Sequence, residues 1–227
     1  MPPKSGKLFK ARSVGSPEEV YSKLDGYMTS DKFETELTNI NLVTNIEDLQ
    51  IHQDGVDGVF RYDYVATLIN RNGVTEVPVT QDCPFRILWD EHDKALAWIL
   101  VLVKKSNANR VAVSLGSILN ADVREADIYS ADMNAYITRN FKTKIVLFDN
   151  MDLPGVNKNT IYGEELVQTT LFNEMSEHGT PKWIVTESEL HGYTVGLGGD
   201  VGVTIYNNVE NLEYINFVVK EILPLVK

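Results

Sequence analysis

The chain has one cysteine, Cys83, in 227 residues. No disulfide can form within it, and a disulfide-stapled secreted scaffold is excluded. It also lacks a long apolar run. The longest, Ala95 to Val103, has nine residues, too few to cross a bilayer as a helix, and Lys94 and Lys104–Lys105 bracket it. The N-terminus carries no apolar signal-peptide core. Positive charge is scarce, with Lys+Arg 21 against Asp+Glu 32 and a net charge of −11. Four of the cations, Lys4, Lys7, Lys10 and Arg12, precede the first acid, Glu18, which leaves −15 on the remainder. Such a body repels nucleic-acid phosphates. These absences predict a cytoplasmic protein with no membrane partner and argue against a nucleic-acid partner.

Apolar residues are 43% and charged residues 23%, enough to build a packed core. Leu8 to Val14 reads as a strand, with the basic cluster as a solvated tail leading into it. Ser16-Pro17-Glu18-Glu19 is a helix start. Ser16 can accept from the Glu19 amide, Glu19 can reach back, and Pro17 sits where its missing N–H costs nothing. Val20, Leu24 and Tyr27 then follow at helical spacing.

From Thr38 the period is two, through Ile40, Leu42, Thr44 and Ile46. It slips near Glu47–Asp48, which predicts a bulge. His52 to Gly58 reads as a turn. Val59 to Ile69 is the best-marked strand, with Phe60, Tyr62, Tyr64, Ala66 and Leu68 on one face. Asn72-Gly73 signals a hairpin. Thr75 to Thr80 returns, with Pro78 marking an edge. Cys83, Phe85, Ile87 and Trp89 alternate up to a polar tip, Asp90-Glu91-His92-Asp93. Ala95 to Val103, apolar on both faces, is a central strand.

Helices are expected over Ser106 to Leu119 and Ser130 to Asn140, then a buried strand over Ile145 to Phe148 and a loop over Met151 to Asn159. Glu164 to His178 reads as a helix with His178 in its last turn. Strands follow at Lys182 to Glu189, Tyr193 to Leu197 and Val201 to Tyr206. A last helix, Val209 to Leu223, starts from Asn207 or Asn208. Strands in hairpins outnumber strand–helix alternation. The expected class is therefore α+β, a mainly antiparallel sheet built from hairpins and covered by about five helices. Residues 83–119 and 182–223 each hold a hairpin followed by a helix. A boundary near Met151 to Asn159 would divide an N-terminal α+β region, 1–150, from a C-terminal helix-strands-helix region, 151–227, unless the chain is a single domain.

Five features could carry function. Gly196 to Gly202 could bring amides to a phosphate. A dinucleotide fingerprint would need glycine where Val201 stands and a helix where Val203-Thr204-Ile205 reads as strand, so a hairpin turn accounts for it better. Glu187, Glu189 and His191 would share one face of a strand and could hold a divalent metal. Asp149, just past a buried strand, with Asp152 behind it, could supply a base or a metal ligand, or simply begin a turn. The stripe Phe60, Tyr62, Tyr64 could stack nucleic-acid bases or pack in the core. The last helix places Val209, Leu212, Ile215, Val219 and Ile222 on one stripe, more apolar surface than one flank needs, which suits a partner chain or internal packing. Cys83 beside Phe85 and Ile87 reads as a buried thiol, and no Gly-x-Ser-x-Gly elbow occurs.

Three functions compete. The first is a non-enzymatic intracellular binding or assembly protein, acting through protein–protein contacts with another chain or itself, with the last-helix stripe as the contact and no cofactor. The second is a metal-dependent hydrolase acting on phosphate esters, nuclease-like or phosphatase-like. It would use Asp149 and Asp152 with Glu187, Glu189 and His191 around a divalent metal, and it needs the two segments to converge. The third is nucleic-acid binding through the basic arm Lys4, Lys7, Lys10 and Arg12, with its steep salt dependence.

Overall fold

A computed structural model describes residues 2–35, 39–71, 73–90, 92–93 and 95–226. Thr38, which opens the first alternating run, Asn72 of the hairpin signal, Glu91 of the polar tip and Lys94 beside the apolar run lie outside the described residues. Among the described residues there are twelve strands and five α-helices, and sheet predominates. The antiparallel α+β class holds in this form, although the helices do not clearly cover the sheet. No helix among the described residues is long and apolar enough to cross a membrane.

The chain forms two compact units. The first comprises Lys10–Val101 and Ser106–Val123; the second comprises Met1–Phe9, Leu102–Lys105 and Arg124–Lys227.

In the first unit, α1 (Pro17–Leu24) begins on the predicted capping box. Ser16 accepts from the Glu19 amide and Glu19 accepts from the Ser16 amide, while Val20 and Leu24 are buried. Four antiparallel strand pairs link β2 (Met28–Glu34), β3 (Asn39–His52), β4 (Gly55–Asn70), β5 (Gly73–Trp89) and β6 (Leu96–Val101) in chain order. The register slip predicted at Glu47–Asp48 is present: the β3–β4 ladder shifts between Glu47 and Gln50, and Asp48 takes φ 52°. The turn expected over His52 to Gly58 is shorter. Strand β4 resumes at Gly55, because Val56 and Gly58 face a buried interior rather than solvent. No strand was expected at β2, which is exposed along nearly its whole length and shows no alternation. All six residues of β6 are buried, as its apolar run predicted. Helix α2 (Lys105–Leu119) buries Ala108, Val111, Ala112, Leu115 and Leu119, and Lys23 Nζ donates to the Leu119 carbonyl at 3.0 Å.

In the second unit, the start of β1 (Lys4–Arg12) pairs with β12 (Gly202–Ile205), Lys4 opposite Ile205. The order continues to β11 (Thr194–Gly198), β10 (Thr180–Glu187), β8 (Thr143–Asp149) and β9 (Lys158–Tyr162), each pair antiparallel. Strand β7 (Asp122–Glu125) is short. Helix α3 (Ser130–Arg139) buries Met133, Tyr136 and Ile137 as its spacing predicted. Three expectations change here. The loop expected over Met151 to Asn159 runs only to Asn157, and an unexpected strand, β9, follows it. The helix expected from Glu164 begins at Thr170 as α4 (Thr170–His178), capped by Thr169, whose hydroxyl accepts from the Phe172 amide. The last helix begins at Asn211 as α5 (Asn211–Phe217), capped by Glu210 and Glu213 rather than by Asn207 or Asn208. It then widens into a π-helical turn, Val218–Ile222.

Candidate functional site

Strands β4 and β5 have 16 and 17 residues, about three times the usual strand length. They stay in register from Gly55 opposite Leu88 to Asn70 opposite Gly73. The inner half is core. Phe60 and Tyr62 are 2% and 3% exposed, and Cys83 and Phe85 are buried beside them. The Phe85 ring lies on Gly58, where any Cβ would meet it at 2.8 Å. Burial pushes the Cys83 thiol up to about 12 and raises the Tyr62 hydroxyl. The Arg110 guanidinium of α2 covers the Tyr62 ring at 4.3 Å.

Past Tyr62 the surroundings change while the ladder continues. The register between β3 and β4 ends at Thr44 opposite Tyr62, and that between β5 and β6 starts at Phe85. Among the described residues, β4 and β5 pair only with each other from Asp63 to Thr80, while the Thr35 hydroxyl just past β2 donates to Glu76 at 2.8 Å. The Tyr64 ring follows Tyr62 at 6.1 Å but is 36% exposed. Leu68 is 53% exposed, Ile69 81% and Val74 52%. Leu68 lies on the aromatic face, and Ile69 lies opposite Val74 on the other. The outer ribbon is therefore apolar on both faces. Pro78, opposite Val65, is tolerated because among the described residues β5 pairs only with β4 there.

At the point of divergence, Asp63 accepts from the Val43 amide at 2.9 Å and from the Thr80 hydroxyl at 2.7 Å. The Val43 N–H, then Thr80, hold its carboxyl below the usual aspartate range. Arg61 donates to Asp82 at 2.6 and 3.1 Å and also bonds Glu47. These polar groups occupy the face opposite Phe60 and Tyr62, so near its root the ribbon has one wet face and one dry one.

The residues proposed for a hydrolase do not come together. Asp149 and Glu187 lie at opposite ends of the β8–β10 ladder, where Asp149 faces Thr180 and Glu187 closes β10. Seven residues of strand separate them by roughly 23 Å. The Asn150 amide and Lys158 hold the Asp149 carboxyl below its usual range, and Asp152 Oδ1 is 2.7 Å from His178 Nδ1. Lys142 donates to Glu187 at 2.7 Å and lowers it. Strand β10 stops at Glu187, and Glu189 and His191 stand on the following turn, so the shared strand face expected for the three does not form. Asn140 holds that turn by accepting from the Glu189 amide at 2.9 Å. Among the described residues no group of three His, Cys, Asp or Glu is placed to hold a metal ion.

The basic arm is strand rather than tail. Lys4 donates to Asn211, Lys7 is fully buried beside Glu125 at 2.7 Å, Lys10 lies over the Trp98 ring, and Arg12 is 3.9 Å from Asp93. The stripe of the last helix is largely consumed at home. Val209, Ile215 and Ile222 are buried and Val219 is half-buried, leaving Leu212 exposed. Gly196 to Gly202 is the β11–β12 turn. Its Gly199 amide bonds Lys182 and its Val201 amide bonds Gly198, so neither is available to a phosphate.

Two buried clusters carried no sequence signal. Glu221, 2% exposed in the π-helical turn, pairs with Arg139 and lies 3.9 Å from His191 Nε2, with His191 stacked on Tyr193. Arg86, 7% exposed, is bonded to Asp54 at 2.6 Å and lies 3.4 Å from Asp57, which also meets His52 at 3.1 Å. Burial raises the Asp57 carboxyl, against Arg86 and His52. The partners of Glu221 and of Arg86 are remote in sequence or stand in a turn, so no spacing rule reaches them. No family model matches the chain, and no curated protein matches its sequence.

Proposed function

We propose that this chain is a non-enzymatic, intracellular binding or assembly protein that docks on another protein chain through the outer half of the β4–β5 ribbon. One observation carries the reading: among the described residues, the outer β4–β5 ladder exposes Leu68, Ile69 and Val74 on its two faces. A lone hairpin is marginally stable in water, and exposed apolar surface concentrated at one place marks a contact site. The contact is placed on the ribbon rather than the last helix, because most of that helix's stripe is already packed. The engaged cations of Lys4, Lys7, Lys10 and Arg12 and the acidic body argue against nucleic acid as the partner.

The test is site-specific photo-crosslinking in the full chain within cells. A photoreactive residue at Ile69 is expected to capture protein. The same residue at Leu190, equally bare at 72% exposure in the turn before β11, is expected to capture little. Equal yields at the two positions would remove the ribbon as the contact.

A further inference from the structure

The two faces of the outer β4–β5 ladder are not equivalent. Directly opposite residues of an antiparallel pair share a face. One face holds Asp63, opposite Thr80, and Glu76, opposite Thr67. Strands β2 and β3 are tied to that face, because the Val43 amide donates to Asp63 at 2.9 Å and the Thr35 hydroxyl donates to Glu76 at 2.8 Å. The other face holds Tyr64, Ala66 and Leu68 of β4 opposite Val79, Val77 and Thr75 of β5. These six carry no charge in a chain of net charge −11. They continue, with no break in register, the face on which Arg110 of α2 covers the Tyr62 ring at 4.3 Å. The inner half of this face is thus roofed from a helix, while on the outer half Tyr64 is 36% and Leu68 53% exposed.

We propose that the outer half of this face seats an amphipathic α-helix of a partner protein, its apolar stripe inward and its back rich in Lys and Arg, lying along the ladder. The proposal rests on the docking role of the ladder and names the chemistry of its partner. Size argues for a helix. Two strands about 4.8 Å apart make a strip about as wide as one helix. From Tyr64 to Leu68 the strip rises about 13 Å, the length of roughly nine helical residues. Such a helix offers apolar anchors at i, i+4 and i+7, enough to cover Tyr64, Val77 and Leu68. A strand added at an edge would cover neither face. Charge argues for the basic back. A net charge of −11 steers cationic partners toward the chain and repels a second copy of it. The seat itself holds no charge, so covering it desolvates no ion.

The test uses the full chain and two synthetic peptides of about 14 residues, one of Leu and Lys and one of Leu and Glu, both patterned as amphipathic helices. The Leu/Lys peptide should shift the amide resonances of Tyr64, Leu68, Val77 and Val79. Leu68→Asp should weaken its binding roughly tenfold or more, and Ile69→Asp, on the opposite face, by less than about twofold. Equal losses at the two positions, or shifts that avoid this face, overturn the seat. Equal binding of the two peptides overturns the basic back. In cells, photoreactive residues at Tyr64 and Leu68 should capture a partner in higher yield than Ile69, at partner residues about nine positions apart, against about four for an extended strand. A separation of about four, or adducts with this same chain, overturns the helix and leaves the docking role standing. If neither Leu68 nor Ile69 captures more than Leu190, both fall.

Discussion

The inner and outer halves of the β4–β5 ribbon share one unbroken backbone ladder and one side-chain alternation. They differ in what lies on them. Phe60 and Tyr62 are sealed by the neighbouring strands and by Arg110 of α2. Tyr64 and Leu68, two and six residues past Tyr62 on the same face, are bare. Period-two patterning shows which residues share a face; it carries no information on whether another element arrives to cover that face. The same stripe is core at one end and contact surface at the other.

The largest expected contrast is chemical. With its thiol pushed up to about 12, Cys83 should hold roughly a thousandfold less thiolate at neutral pH than an ordinary cysteine. Alkylation at pH 8 should therefore follow unfolding, and a rate independent of added denaturant would show that the inner half opens freely. Next, Phe60→Ala should cost about 3–5 kcal/mol in denaturant unfolding. Arg110→Ala, which removes the cover over Tyr62, should cost about 0.5–1 kcal/mol. Leu68→Ala should lie within about 0.5 kcal/mol of the parent. A loss above about 2 kcal/mol at Leu68 would mean the outer half is covered after all, and the contrast would vanish.

The smallest effect sits at the seam. The folded Asp63 carboxyl titrates below the ordinary aspartate value of about 3.9. Its stabilising contribution is complete above that value and is lost as pH falls through the lower folded one. The Val43 amide resonance should move with that low midpoint, and a midpoint above 3.9 would mean that its bond to Asp63 does not hold in solution.

Much of this was readable in residues that act locally. The capping box at Ser16 and Glu19, the slip at Asp48 and the shared face of Phe60 and Tyr62 are written within a few positions. Strand β2 was not, because an exposed polar strand has no alternation to read. The start of α5 was missed because glutamate caps it, outside the usual Ser, Thr, Asp and Asn set. The convergence of Glu221, Arg139 and His191 was invisible because each belongs to a different element. The same holds for the failure of Asp149 and Glu187 to meet: strand pairing decides it, and pairing is a long-range property.

The pairing of Lys4 with Ile205 bears on biosynthesis. Strand β1 is synthesised well before its partner, which is encoded about 200 residues later. At roughly 5–20 residues per second, that strand waits some 10–40 s for its neighbour. During that interval its amides and its lysines are available to chaperones, and the β4–β5 hairpin, whose contacts are local, can already be complete.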